Sequence, residues 1–268
     1  MTTRPFRFGA VAGYAPGGGA WTGLARRAEQ LGYGSLLIPD TLGTLAPFPA
    51  LAAAAAATTT LRLGTYVLSA PNRTPGQVAW EARTLQTLSD GRFELGLGAG
   101  RPGAEADTAK LGVPYGTPAE RVARLAETID AAGEMPILIA AAGPRLLRLA
   151  ASRADTIALA MPAQATEDQL AAKLDELYEV AGDRFTRLEL NLNLAAIGDD
   201  LPPWLRQQVG GEPHGVGFLK DRPTRWPRRC RSGGSASASP TSRSTPTTWR
   251  RSRRSWSASP VPDRRWQA

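Results

Sequence analysis

Apolar and polar positions alternate in two textures along the first two hundred or so residues. Short unbroken apolar runs recur: FRFGAVAG from Phe6, GSLLIPD ending at Asp40, LRLGTYVLS over Leu61–Ser69, RFELGLGAG over Arg92–Gly100, PILIAAAG over Pro136–Gly143, TIALAMP over Thr156–Pro162 and LELNLNLAAIG over Leu188–Gly198. Between them lie longer stretches whose apolar residues return every three or four positions, the period of a helix with one buried face. These stretches are AWTGLARRAEQLG, PFPALAAAAAAT, TPGQVAWEARTLQTLS, TPAERVARLAETIDAAG, PRLLRLAASRA and TEDQLAAKLDELYEVAG, with a shorter helical stretch at PPWLRQQVG. Thr74, Thr117 and Thr166 stand where helix N-caps belong, with Pro75 just inside the first turn of its helix and Gly32 stopping the earliest one.

The strand runs are continuous rather than alternating, as in parallel strands buried on both faces. Seven strands separated by helices predict an α/β protein, either a doubly wound sheet or a (β/α)8 barrel. No G-x-G-x-x-G opens the first helix, which disfavours a dinucleotide-binding Rossmann sheet. A closed barrel needs an eighth βα unit, and none is legible.

The text changes abruptly after Lys220. Apart from alanines, Cys230 and four tryptophans, the only apolar residue from Asp221 to Ala268 is Val261, and Ser, Arg, Pro and Thr dominate. Neither period survives, so the segment cannot build a core. The domain reading is a barrel over residues 1–220 and a basic segment over 221–268. That segment is either a disordered basic tail or an eighth βα unit read out of frame. Tryptophan has one codon, and one base earlier it becomes Leu, Met or Val, while serine TCN codons become apolar. With one base restored after the Lys220 codon, the segment can be written as a helix, a strand (ISYITV) and an amphipathic helix.

Charge follows the same division. The net charge of +8 comes from the 12 arginines beyond Lys220, set against two acidic residues there, while the remainder carries 20 basic and 22 acidic residues. The body has no charge-based reason to bind nucleic acid, and only a genuine basic tail supplies one. The single cysteine, Cys230, rules out a disulfide framework, and the single histidine, His214 in EPHGVG, rules out a histidine-rich metal site; no metal is expected. His214 reads as an exposed loop residue. No apolar run reaches membrane-spanning length, and MTTRPFRFGAVAGY enters a strand without a signal-peptide layout, so the expectation is a cytoplasmic protein.

The stretch from LGTYVLSAPNR through E-x-x-T-L-x-x-L-S-x-G-R and FELGLGAG, with IAAAGPRLLRLA further on, resembles the bacterial-luciferase-like superfamily. Within it, the text is most similar to the branch of flavin- and coenzyme F420-dependent oxidoreductases, and the likeness covers most of residues 6–200. The resemblance implies a (β/α)8 barrel with a redox cofactor at the C-terminal ends of the strands.

The same resemblance nominates residues. Asp40 and Thr41 end the second strand, where deazaflavin-using members commonly have Asp-His. Thr41 can hydrogen-bond a ring but is no general acid near neutral pH. Tyr66 and Val67 occupy the place of a non-proline cis peptide and bulge that supports the cofactor ring. Gly98, Gly100 and Arg101 end the fourth predicted strand, where small residues admit a planar ring and a guanidinium can meet substrate or phosphate. The loop Pro102–Gly116 is long enough to cover part of a site. Ala141, Ala142, Gly143 and Arg145 lead into a helix whose free N–H groups attract phosphate. Asp40, Thr41 and Arg101 are the catalytic candidates, and Tyr66, Val67, Gly98, Gly100, Ala141, Ala142, Gly143 and Arg145 the cofactor-binding ones. The implied activity is hydride transfer between coenzyme F420 and a small organic substrate. The alternatives are an FMN monooxygenase using molecular oxygen and a dead barrel carrying a nucleic-acid-binding tail. Family members often form homodimers.

Overall fold

The computed structural model describes residues 7–101, 103–198, 201, 207 and 214–219. These form two compact units, one of residues 7–140 with 153–155 and the other of 141–152 with 156 onward. The basic segment from Asp221, with Cys230, lies outside the described residues, as does most of the predicted helical stretch PPWLRQQVG.

The first unit is a parallel sheet with helical crossovers. Its strands are β1 (Gly9–Val11), β2 (Ser35–Ile38), β3 (Arg62–Thr65), β4 (Leu68–Ser69), β5 (Phe93–Gly98) and β6 (Ile137–Ala141). The parallel pairs are β1–β2, β2–β3, β3–β5 and β5–β6, and β4 continues β3 along the same edge of β5. Every residue of β2 and β5 is buried, as their unbroken apolar text requires. Leu36, Ile38, Leu63, Phe93, Leu95 and Leu97 have no exposed surface, and each such burial contributes about 1.5–3 kcal/mol.

The crossovers are α1 (Gly18–Gln30), α2 (Pro47–Ala57), α3 (Pro75–Leu88), α4 (Glu105–Lys110) and α5 (Pro118–Ala132). Thr74 accepts a hydrogen bond from the Gln77 amide, and Thr117 forms a reciprocal capping box with Glu120, so both predicted caps are used. The short helix α4 lies inside the segment read as loop, where its buried Thr108 donates to the Glu105 carbonyl. Six residues leave too little periodicity to predict a helix.

Charged side chains tie the N-terminal end of the sheet. Glu29 Oε1 accepts from the amides of Thr59, Thr60 and Leu61 at 2.6–2.9 Å. Arg92 donates to the carbonyls of Ala55 and Leu61, closing the end of α2. Glu94 accepts from Arg7 and Arg62, each at 2.5 Å. In (β/α)8 barrels generally, the N-terminal end of the strands carries stability and the C-terminal end carries chemistry.

The second unit contains α6 (Pro144–Arg153, its last residue belonging to the first unit), β7 (Thr156–Leu159), α7 (Glu167–Ala181) and β8 (Glu189–Asn191). The parallel pair β7–β8 runs from Thr156↔Glu189 to Ala158↔Asn191, and Thr166 caps α7 through a box with Gln169. The predicted seventh strand, Leu188–Gly198, is not one element. It ends at Asn191, and β9 (Ala196–Ile197) pairs instead with β10 (Phe218–Leu219), a strand the sequence did not announce. The amides of Val216 and Gly217 donate to the carbonyls of Ala165 and Ala163, which holds GVGFL beside the segment between β7 and α7. A two-residue strand carries no periodic signal, which is why β10 is silent in the sequence.

Candidate functional site

The third predicted strand is broken in its middle, and the break shapes the C-terminal end of the first sheet. Before it, Gly64 pairs with Glu94; after it, Leu68 pairs with Leu97. Four steps along one strand thus oppose three along its neighbour, which is a β-bulge with one extra residue. The Tyr66–Val67 peptide within it is cis, where the resemblance placed such a bond. Tyr66 is anchored on the other side by its amide, which donates to Ile38 O at 2.7 Å. Burial pushes the Tyr66 phenol up to about 12, so it is a hydrogen-bond donor and not a proton exchanger near neutral pH.

Across from the bulge, β5 reads Leu95-Gly96-Leu97-Gly98. The hydroxyl of Thr65 donates to the Gly96 carbonyl at 2.6 Å and accepts from the Gly96 amide at 2.9 Å. A Cβ on Gly96 would sit 1.9 Å from the Thr65 carbonyl oxygen, so no side chain fits there. At Gly98 a Cβ would sit 2.7 Å from a Val67 methyl and 4.0 Å from the Ala140 Cβ. Val67, Gly98 and Ala140 thus form a wall of small residues at the end of β5, packed so closely that a methyl on Gly98 would crowd the Val67 side chain. A cradle of this kind, lined by backbone and small side chains, suits the approach of a planar ring.

Asp40 ends the segment after β2 and is almost wholly engaged. Its Oδ2 accepts from the Ser69 amide at 3.0 Å, Asn72 Nδ2 at 3.1 Å and Arg73 Nη1 at 2.7 Å, while Oδ1 takes Arg73 Nη2 at 3.2 Å. The forked pairing fixes the chain that leaves the bulge. Thr41 lies one residue on, within 3.5 Å of the Thr44 hydroxyl, and its own carbonyl accepts from that hydroxyl at 2.8 Å.

Gly100 turns the chain out of β5 with φ +83°, against Pro71 and Tyr115. Arg101 pairs with Asp107 of the same loop at 2.9 Å and is more than half exposed. Tyr115 donates its hydroxyl to the Arg101 carbonyl. Arg121 joins the two ends of this loop, donating to Ala99 O at 2.9 Å and Gly116 O at 2.8 Å, with its guanidinium 4.1 Å over the Tyr115 ring.

The other candidates belong to the second unit. Ala141 is buried and its carbonyl accepts from the Ala160 amide, whereas Ala142 and Arg145 are exposed. Gly143 precedes α6, and nothing lies within 4 Å of the place its Cβ would occupy. Lys173 of α7 reaches Ala142 O at 3.4 Å and Glu176 at 2.6 Å, bringing an ammonium beside the turn. His214 is exposed, as expected from its loop text.

Sequence reasoning missed Thr65, Arg73, Gly96, Tyr115, Arg121 and Lys173. Two of them left a signal. Arg73 closes GTYVLSAPNR, and Gly96 is the first of three alternating glycines in FELGLGAG. Among the described residues no three His, Cys, Asp or Glu side chains gather to hold a metal ion, and no helix is long and apolar enough to cross a membrane.

Residues 5–133 match the family model described as luciferase-like monooxygenase. An F420-dependent glucose-6-phosphate dehydrogenase of Nakamurella multipartita is 32% identical over 230 residues, spanning 70% of this chain and 67% of that protein. A protein of the same description from Beutenbergia cavernae is 36% identical over 160 residues, or 46% of this chain, which spans about half (47%) of that relative's length. The coenzyme F420 dependent tetrahydromethanopterin reductase of Methanopyrus kandleri has the same fold with a TM-score of 0.61 at 18% identity, covering 74% of this chain and 68% of the other. The α/β fold is therefore the TIM-barrel fold of these enzymes, and the chain belongs to the luciferase-like family of oxidoreductases and monooxygenases.

Proposed function

We propose that the chain binds coenzyme F420 at the C-terminal ends of its strands and passes hydride between it and a small organic substrate. The observation that carries this reading is the cradle at the bulge, where Val67, Gly98 and Ala140 present a wall of small residues that a methyl on Gly98 would crowd. The F420-dependent relatives support the choice of cofactor. When bound, the deazaflavin supplies the hydride donor or acceptor, and the protein supplies position and electrostatics.

In this reading the bulge backs the ring, and Asp40, through Arg73 and the Ser69 amide, keeps the segment after the bulge in place. Thr41 offers a hydroxyl where relatives of the deazaflavin branch offer an imidazole, so proton delivery does not rest on a histidine beside Asp40. Arg101, released from Asp107, is the cation available to an anionic substrate, since an exposed ion pair holds it by only about 0–1 kcal/mol. Within the second unit, the turn Ala141–Gly143 with Arg145, and Lys173 beside it, offers the amides and cations that suit a phosphate group. The family model's own description as a monooxygenase favours FMN with oxygen as the second reading.

The test is turnover. The full chain with F420 should bleach the deazaflavin's visible absorbance in the presence of one donor from a panel of small alcohols and sugar phosphates, glucose 6-phosphate among them. Oxygen consumption with reduced FMN, and no bleaching of F420, would select the second reading. We further take the barrel domain to run over residues 1–220 and the text after it to be an out-of-frame eighth unit. Resequencing the coding DNA across the Lys220 codon tests this: a missing base supports it, and an intact frame leaves a genuine basic tail.

A further inference from the structure

We infer that Thr65 is the positioning residue of the ring cradle: its hydroxyl replaces the ladder bonds lost at the bulge and thereby sets where Val67 stands. The inference rests on the cradle reading of the preceding section. In an undisturbed parallel ladder, bonds between neighbouring strands run backbone to backbone. Here the register changes by one residue between the pair Gly64↔Glu94 and the pair Leu68↔Leu97. Gly96 lies inside that change, opposite the bulge, with both its amide and its carbonyl buried in a strand that has no exposed residue. Both groups are satisfied by one atom, Thr65 Oγ1, at 2.9 and 2.6 Å.

Chemistry restricts what can do this. A hydroxyl donates and accepts at once, whereas valine, of the same shape, does neither. Thr65 is 1% exposed, so no water can substitute for the lost hydroxyl without opening the strand pair. The partner is restricted as well, because the close approach that lets one hydroxyl reach both groups leaves only 1.9 Å between the Thr65 carbonyl oxygen and a Cβ at Gly96. Thr65 and Gly96 therefore work as a pair. Two residues along the chain, Val67 places its methyl 2.7 Å from the position of a Gly98 Cβ, so the clasp and the cradle wall share one short segment. Thr65 acts through Val67 and Tyr66, not by contact with a bound group.

The experiment compares four full-length proteins: wild type, Thr65→Ser, Thr65→Val and Thr58→Val. Thr58 is the control, a buried threonine whose hydroxyl donates to Ala54 O and accepts from Arg92 at the other end of the sheet. Each is titrated spectroscopically with F420 and with FMN, melted, and followed by amide hydrogen exchange at Gly96. We expect Thr65→Ser to bind within about twofold of wild type, and Thr65→Val to bind about tenfold more weakly with a Gly96 amide exchanging about a hundredfold faster. Thr58→Val should lose melting temperature but keep its affinity. Equal affinity in Thr65→Val and Thr58→Val, or an unchanged Gly96 exchange rate in Thr65→Val, would overturn the inference. If wild type binds neither cofactor, the functional reading fails, and the exchange rate at Gly96 still decides whether Thr65 is the clasp.

Discussion

Asp40 and Arg73 are joined by two hydrogen bonds, Nη1 to Oδ2 at 2.7 Å and Nη2 to Oδ1 at 3.2 Å, with the carboxylate side chain only 6% exposed. The pair locks the end of β2 to the segment following the bulge. Removing one partner from a buried pair leaves an uncompensated charge, which costs more than the pair's net contribution. Asp40→Asn should therefore lose about 3 kcal/mol, seen as a melting point lower by about 6–12 °C. Arg73→Lys should not restore it, because an ammonium cannot make the forked contact. A melting curve of either variant superimposing on wild type would show the pair to be idle.

The glycines of β5 and of the turn before α6 separate fold from site. At Gly96 an added methyl meets backbone, so Gly96→Ala should abolish the cooperative melt. At Gly98 it meets the end of a valine, which can give way, so Gly98→Ala should fold and lose cofactor affinity by about tenfold. At Gly143 it meets nothing, so Gly143→Ala should fold as wild type. Circular-dichroism melts followed by cofactor titration sort the three.

Much of this was written in the sequence, and the exceptions have physical reasons. The continuous apolar runs announced buried parallel strands, and Thr74, Thr117 and Thr166 announced helix starts that the structure uses. The glycines of FELGLGAG announced close approach, though not to what. The partners Arg121 and Lys173 stayed hidden because each acts on a backbone carbonyl distant in sequence, which leaves no periodic mark. The break in LELNLNLAAIG was invisible because the apolar text continues through it while the pairing partner changes from β7 to β10.

Glu29 makes acid stability measurable. Burial alone would push its carboxyl up, but the amides of Thr60, Leu61 and Thr59 with the Thr60 hydroxyl outweigh it and hold the group at about 2. A carboxyl with a lowered folded-state pKa stabilises above its unfolded value and loses that contribution as pH falls to the folded one. Wild type should therefore lose stability between about pH 4.5 and 2 in a step that Glu29→Gln lacks. Denaturant melts at stepped pH provide the comparison, and parallel profiles for the two proteins would remove Glu29 from the account.

Arg121 holds the loop that carries Arg101, and the loop offers a protease site at Lys110. Arg121→Lys keeps the charge near Tyr115 but loses the planar fork whose Nε and Nη1 reach the two carbonyls together. Tryptic cleavage after Lys110 should then speed up by about tenfold at an unchanged melting temperature. Cleavage at the wild-type rate would mean that the loop closes without its guanidinium.

The central question is whether the cradle beside Val67 takes a deazaflavin. Titrating the full-length chain and its Gly98→Ala variant with coenzyme F420, followed by absorbance and fluorescence, tests this directly. The account predicts saturable one-to-one binding by wild type and about tenfold weaker binding by the folded variant. No saturable binding by a folded wild-type chain, or equal affinity in the two proteins, would contradict it.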